Sequence, residues 1–197
     1  LIPHLEGNST APSERHAFFY RGRKLTILGT IGGKESVATA INNSGQVVGY
    51  SSTYRDETHA FLYLQDQMID LGTLGGTESR ANSINDRGQV VGSANVGGSN
   101  QQHALLYQDK KMSDLGSLDN HGSTALDINE SGTIVGKSGS GDFLYKDGEM
   151  LDLNSLLPKN SDWKSIKPCC INDGNQIAGI GISHDGKTHV VLLNPTR

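Results

Sequence analysis

Three histidines recur at matching places in this 197-residue chain. His16, His59 and His103 each open a run of the form His-Ala-apolar-apolar-Tyr, at steps of 43 and 44 residues, and His189 extends the series. Imidazole can ligate a metal, carry a proton near neutral pH or hydrogen-bond a small ligand. A shared metal needs ligand atoms that converge to within about 2.1 Å of one point, whereas equivalent positions of a radial repeat lie on a wide ring, so no metal is expected. The residues fit local packing at a strand start, with small-ligand pockets between units as the functional alternative. Trp163, in the most divergent repeat, is a further candidate ligand contact. Asp70, Asp114 and Asp152 recur as well, in settings where turn bonding is expected. No catalytic residue and no cofactor are assigned. Gly136-Lys137-Ser138 has the end of a phosphate-binding loop, but Ser131 stands where its upstream glycine belongs, and there is no His-Glu-x-x-His, nucleophile elbow or zinc-type Cys/His spacing.

The elements that must position these residues are written four times. Ile41-Asn42-Asn43-Ser44-Gly45-Gln46-Val47-Val48-Gly49 returns at Ile84 to Gly92, Ile128 to Gly136 and Ile171 to Gly179, with steps of 43, 44 and 43 between the asparagines. Each repeat holds four apolar runs separated by Gly, Asn, Asp and Ser, the punctuation of short antiparallel strands. No segment keeps a helical period for long. Gly45, Gly88 and Gly132 fall where a reversing chain needs positive φ, and Asn175 takes that place in the fourth copy. Asn42, Asn85, Asn129 and Asn172 open the turns and are expected to staple them through side-chain bonds to the backbone.

A period near forty with strand content predicts an all-β chain, a β-propeller of about five four-stranded antiparallel blades, with four blades and overhanging ends as the alternative. The chain reads as a single repeat domain, 1–197, with cores near 16–58, 59–102, 103–142 and 143–188. Small residues mark the innermost strand: Ala38 and Ala40, Ala81 and Ser83, Ala125 with Asp127. On this phasing 36–71, 79–115 and 123–153 are whole blades, 1–28 lacks an inner strand and 165–193 an outer one. The ends are expected to meet and close the ring, or to recruit a second copy. Divergence around Trp163, Pro168, Cys169 and Cys170 fits a terminal repeat.

His-Ala-Phe-Leu-Tyr, then Met-x-Asp-Leu-Gly-Thr-Leu-Gly-Gly, then Ser-x-Ala-x-x-Ile-Asn, then Gly-Gln-Val-Val-Gly resembles the bacterial extracellular HAF repeat, well over 16–153 and loosely over 154–193. The resemblance implies an exported bacterial repeat protein, extracellular or periplasmic, and transfers no activity to particular residues.

A net charge of -4 lacks the basic stripe that phosphate backbones require, so no nucleic acid is expected as the main partner. Arg21-Gly22-Arg23-Lys24 reads as an exposed loop. No apolar segment is long enough to cross a bilayer, and no signal peptide is visible. Two cysteines cannot frame a disulfide-rich fold, and Cys169 and Cys170 are expected as reduced, packed thiols. The sequons at Asn8, Asn42 and Asn129 are formal, the last two coinciding with the repeat turn. The function expected is a noncatalytic binding or scaffold propeller that presents repeated loops to a glycan, surface polymer or protein. The alternatives are a polymer-degrading hydrolase or lyase with Asp127, Asp173 or His121 in an axial cleft, and a structural module that self-associates through its terminal strands.

Overall fold

A computed structural model describes residues 14–99, 101–139 and 141–195; the sequon at Asn8 lies outside them. Seventeen strands and one 3-10 turn, Leu153–Leu156, make up the regular structure of those residues. The chain is all-β, and no helix among the described residues is long and apolar enough to cross a membrane.

Three complete four-stranded antiparallel units follow one another. The first is β3 (Gly32–Ile41), β4 (Val47–Thr53), β5 (Thr58–Leu64) and β6 (Gln67–Asp70). The second is β7 (Gly75–Ile84), β8 (Val90–Val96), β9 (Gln102–Gln108) and β10 (Lys111–Asp114). The third is β11 (Ser123–Ile128), β12 (Ile134–Ser138), β13 (Gly141–Lys146) and β14 (Glu149–Asp152). Ahead of them stands the hairpin β1 (Ala17–Arg21) and β2 (Lys24–Gly29), and behind them the three-stranded sheet β15 (Trp163–Ile171), β16 (Ile177–Ser183) and β17 (Thr188–Leu193). One parallel bridge, Thr58 to Glu78, links the first two complete units into a single sheet.

The core lies between units. Val48, Ala60, Leu62 and Leu71 of one unit pack on Ala81, Ile84 and Val90 of the next, and Tyr107 and Met112 fill the seam. Equivalent residues repeat this at the following junction, where Val91 and Ala104 meet Ala125, Ile128, Ile134 and Phe143. A single four-stranded sheet cannot bury its own face, so stacking supplies the hydrophobic stabilisation.

The first strand of every unit carries a bulge, at Ala38/Ala40, Ala81/Ser83, Ala125/Asp127 and Pro168/Cys170. A bulge leaves one residue unpaired and re-aims its side chain. Thr39 Oγ1 thereby donates to Ala81 O (2.9 Å), and Asn82 Nδ2 donates to Ala125 O (2.7 Å). In the last unit the same irregularity leaves Cys169 and Cys170 exposed and unbridged, so they are free thiols but not the packed ones expected.

The turns after these first strands run with positive φ at Gly45 (77°), Gly88 (77°), Gly132 (85°) and Asn175 (57°). Gly88 N donates to Asn85 O at 3.0 Å and closes the reversal. Gly88→Val puts a branched side chain in that region, where strain is about 1–3 kcal/mol. Thermal melts should place Gly88→Val well below the parent and Arg87→Ala beside it; the reverse order would disprove the turn assignment.

The ends do not meet among the described residues. β17 pairs only with β16, and β1 only with β2. Phe18 and Tyr20 are 58% and 53% exposed although their counterparts Phe61 and Tyr63 are buried, and Val190 is 90% exposed where Ala60 is covered. The expected closure within one chain is not seen among the described residues, and residues 1–13 of the segment expected to take part in it lie outside them; the periodicity sets the unit, while the rotation from one unit to the next decides whether the ends arrive together.

Candidate functional site

The repeated polar residues bond from unit to unit. Asn42 Nδ2 donates to Asn85 O, Asn85 Nδ2 to Asn129 O and Asn129 Nδ2 to Asn172 O, each at 3.0 Å. The same side chains accept from the backbone four residues on: Gln46 N and Gln176 N at 2.9 Å, Gln89 N and Thr133 N at 3.0 Å. Each asparagine thus closes its own turn, and the first three also clasp the next unit. These bonds occupy the Asn42 and Asn129 amides that the sequons would modify.

A second ladder runs beside the first. Asn43 N donates to Asp86 Oδ1 (2.8 Å), Asp86 N to Glu130 Oε1 (2.5 Å) and Glu130 N to Asp173 Oδ1 (2.8 Å). The two ladders rim a depression of about 270 Å³ that Asp127 also lines. Asp127 is tied on both oxygens, since Ser83 Oγ donates to Oδ1 (2.7 Å) and Ile171 N to Oδ2 (2.8 Å). His121 lies elsewhere, beside a separate depression, with Nδ1 2.7 Å from Asp119 O. Asp127 and Asp173, two of the three residues considered for an axial cleft, thus share one depression, and His121 stands apart from them.

The histidines pair with the recurring aspartates. His59 Nδ1 lies 2.9 and 3.0 Å from the two carboxylate oxygens of Asp70, and His103 Nδ1 lies at the same distances from Asp114. Asp70 and Asp114 also accept from Gly72 N and Gly116 N at 2.8 and 2.7 Å, so each carboxylate locks a turn and an imidazole at once. His16 stands 3.8 Å from Glu14; Ile27 occupies the register position that Asp70 holds in the next unit. Trp163 packs into the core between the last two units and meets His189 edge to face, 5.5 Å between ring centres. The four candidate ligand contacts thus engage partners of their own units. Among the described residues no group of three or more His, Cys, Asp or Glu side chains is placed to hold a metal.

Reading the histidines and the aspartates separately missed their pairing. Its signal is a constant offset of eleven residues, from His59 to Asp70 and from His103 to Asp114. Also missed were Ser36, Ser79 and Ser123, whose hydroxyls accept from Ala17 N, Ala60 N and Ala104 N of the preceding unit. They donate in turn to Gly29 O, Gly72 O and Gly116 O.

Asp142 breaks the pattern. It takes the register place of Ala60, opposite a unit in which Ile166 stands where those serines recur. Burial raises its pKa above the ordinary 3.8, Asp152 adds to this, and Lys167 and Lys137 oppose it. A carboxyl whose folded pKa is raised contributes most below its unfolded pKa and loses that contribution as pH climbs through the folded value. Asp142→Asn should therefore melt above the parent near neutral pH and together with it below about pH 3, the parent's carboxyl then being neutral. An unchanged neutral-pH melt would contradict this.

These features define an all-β repeat protein whose units are joined by polar ladders and face-to-face cores. Residues 32–119, just under half of the chain, match a family described as protein of unknown function (DUF3466). That stretch covers the first two complete units. No curated protein matches the chain.

Proposed function

We propose that this chain is a noncatalytic propeller-type scaffold of about five units, the two terminal ones incomplete, which engages a partner outside the cytoplasm. The extracellular or periplasmic placement rests on the HAF-like motif. Three complete units, successive first strands bonded to one another and cores at each junction support the propeller arrangement. Among a glycan, a surface polymer and a protein, the protein is favoured by one observation: large apolar side chains stand open on the two end units. They are Phe18, Tyr20 and Ile27 on the first and Ile180, Val190 and Leu192 on the last. Exposed apolar faces of this kind mark protein contacts.

The same faces favour a second reading, head-to-tail association of copies. Phe18 and Tyr20 occupy the positions of Phe61 and Tyr63, and Val190 and Leu192 those of Ala60 and Leu62, which successive units bury at interior junctions. Sedimentation over a concentration series, with a glycan array in parallel, tests both. Association that Val190→Lys or Phe18→Lys abolishes, without glycan binding, is the expected result. A parent that stays monomeric and binds a glycan contradicts it.

A further inference from the structure

The bulge of β15 puts two thiols side by side on an open face. Pro168 pairs with Gly179 and Cys170 with Ala178, so two steps of β15 stand against one of β16. An unbroken strand sends successive side chains to opposite faces. Here Pro168 and Ile171 are buried and the two cysteines between them are both exposed. In the other units the same two places hold Thr39 and Ala40, Asn82 and Ser83, and Leu126 and Asp127, so the adjacent thiols belong to this unit alone.

The two thiols are free rather than bridged. Neighbouring Cα atoms stand about 3.8 Å apart across a trans peptide, short of the roughly 4.4–6.8 Å that a disulfide spans. An atom held between the sulphurs suits the spacing better, since bonds of about 2.3 Å to one tetrahedral centre leave them roughly 3.8 Å apart. Burial raises the Cys170 pKa above the ordinary 9.0, and Cys169 and Asp127 raise it further; a cationic centre offsets the repulsion among these three groups. No third protein ligand joins them among the described residues. Asp127 has both oxygens engaged, by Ser83 Oγ and by Ile171 N. A structural zinc, which takes four protein ligands, is therefore not provided for.

We infer that Cys169 and Cys170 are a chelating site for a soft, thiol-seeking centre that two sulphurs satisfy, of the class of trivalent arsenic or a heavy d10 cation such as cadmium. Each thiol gives up its proton and its sulphur bonds the centre. With an organic arsenic(III) oxide, two As–S bonds replace the bond to oxygen, and the two protons leave with that oxygen as one water. With cadmium, two Cd–S bonds replace two bound waters and the protons pass to solvent. Nothing is oxidised or reduced in either case. The site goes beyond the scaffold reading and does not rest on it, since it needs neither a partner protein nor the apolar end faces.

The reduced full chain is titrated with phenylarsine oxide in one arm and with cadmium chloride alone in the other. Native mass spectrometry counts what binds, and cadmium–thiolate charge-transfer absorption reports the sulphurs. One centre per chain is expected, with the loss of one water in the arsenical arm and no thiol left open to a thiol reagent. Cys169→Ser and Cys170→Ser should each weaken binding at least tenfold, almost as far as the variant lacking both, because one thiol cannot chelate. Both residues are exposed, so the variants should melt with the parent, which separates loss of the site from loss of the fold. Tighter binding of the arsenical marks the metalloid as the better occupant, and tighter binding of cadmium the cation. Parent affinity in either single variant, parent affinity in the double variant, or no binding in both arms overturns the inference.

Discussion

Gly92→Ala is expected to destabilise the chain by about 3 kcal/mol, the upper part of the range for forced overpacking. Gly92 closes the repeated Gln-Val-Val-Gly motif inside β8, opposite the bulge of β7. A methyl group there falls 2.9 Å from Ala81 Cα and closer still to the carbonyl oxygen of Arg80. Both are backbone atoms held by the Ala81/Ser83 bulge, so relief requires the strand to move. The bulge also aims Asn82 at the next unit, so movement there loosens a junction as well. For a chain of this length the loss corresponds to a fall of roughly 6–12 °C in melting temperature. Gly98→Ala is the control: its φ is 77° but a Cβ meets nothing within 4 Å, so it should cost about 1 kcal/mol. Equal melts for the two variants would show that the close approach is not a constraint.

Asn85→Ala should cost about 2–4 kcal/mol, against about 1 kcal/mol for Asn172→Ala, because a buried group left without its partner incurs its full desolvation penalty. Asn85 is buried, and its loss strips the donor from Asn129 O and the acceptor from Gln89 N. Asn172 is exposed, and among the described residues its side chain bonds Gln176 and no following unit. Its carbonyl, which receives Asn129, survives the substitution. Two asparagines at equivalent turn positions thus differ by whether a carbonyl of a following unit, among the described residues, receives the side chain. Chemical denaturation of both variants decides it, and equal losses would confine the asparagine's role to its own turn.

Strand number and strand order in the three whole units were legible from the chain alone, because Gly, Asn, Asp and Ser punctuate each run locally. The expected whole units at 36–71, 79–115 and 123–153 overlap β3 to β6, β7 to β10 and β11 to β14. Bulges leave no such mark. Their consequence is visible only in space, where Gly49, Gly92, Gly136 and Gly179 sit against a carbonyl of the first strand; in sequence they are merely repeated glycines. The exposed Cys169 and Cys170 follow from the same bulge, which upsets the in-and-out alternation by which burial is read. The His–Asp pairs show in the sequence only as a shared offset of eleven residues, since each residue type taken alone also fits a strand start or a turn. Closure was not legible, since a period reports what repeats and not how far each copy turns.

The hydrogen exchange of the four asparagine side-chain amides probes the joining of units in solution. Asn42, Asn85 and Asn129 donate to the carbonyl of the following unit, and Asn172 has no following unit among the described residues. Slow exchange at the first three and fast exchange at Asn172 is the predicted outcome. Exchange as fast as free asparagine at all four would mean that the repeated turns do not hold one unit to the next.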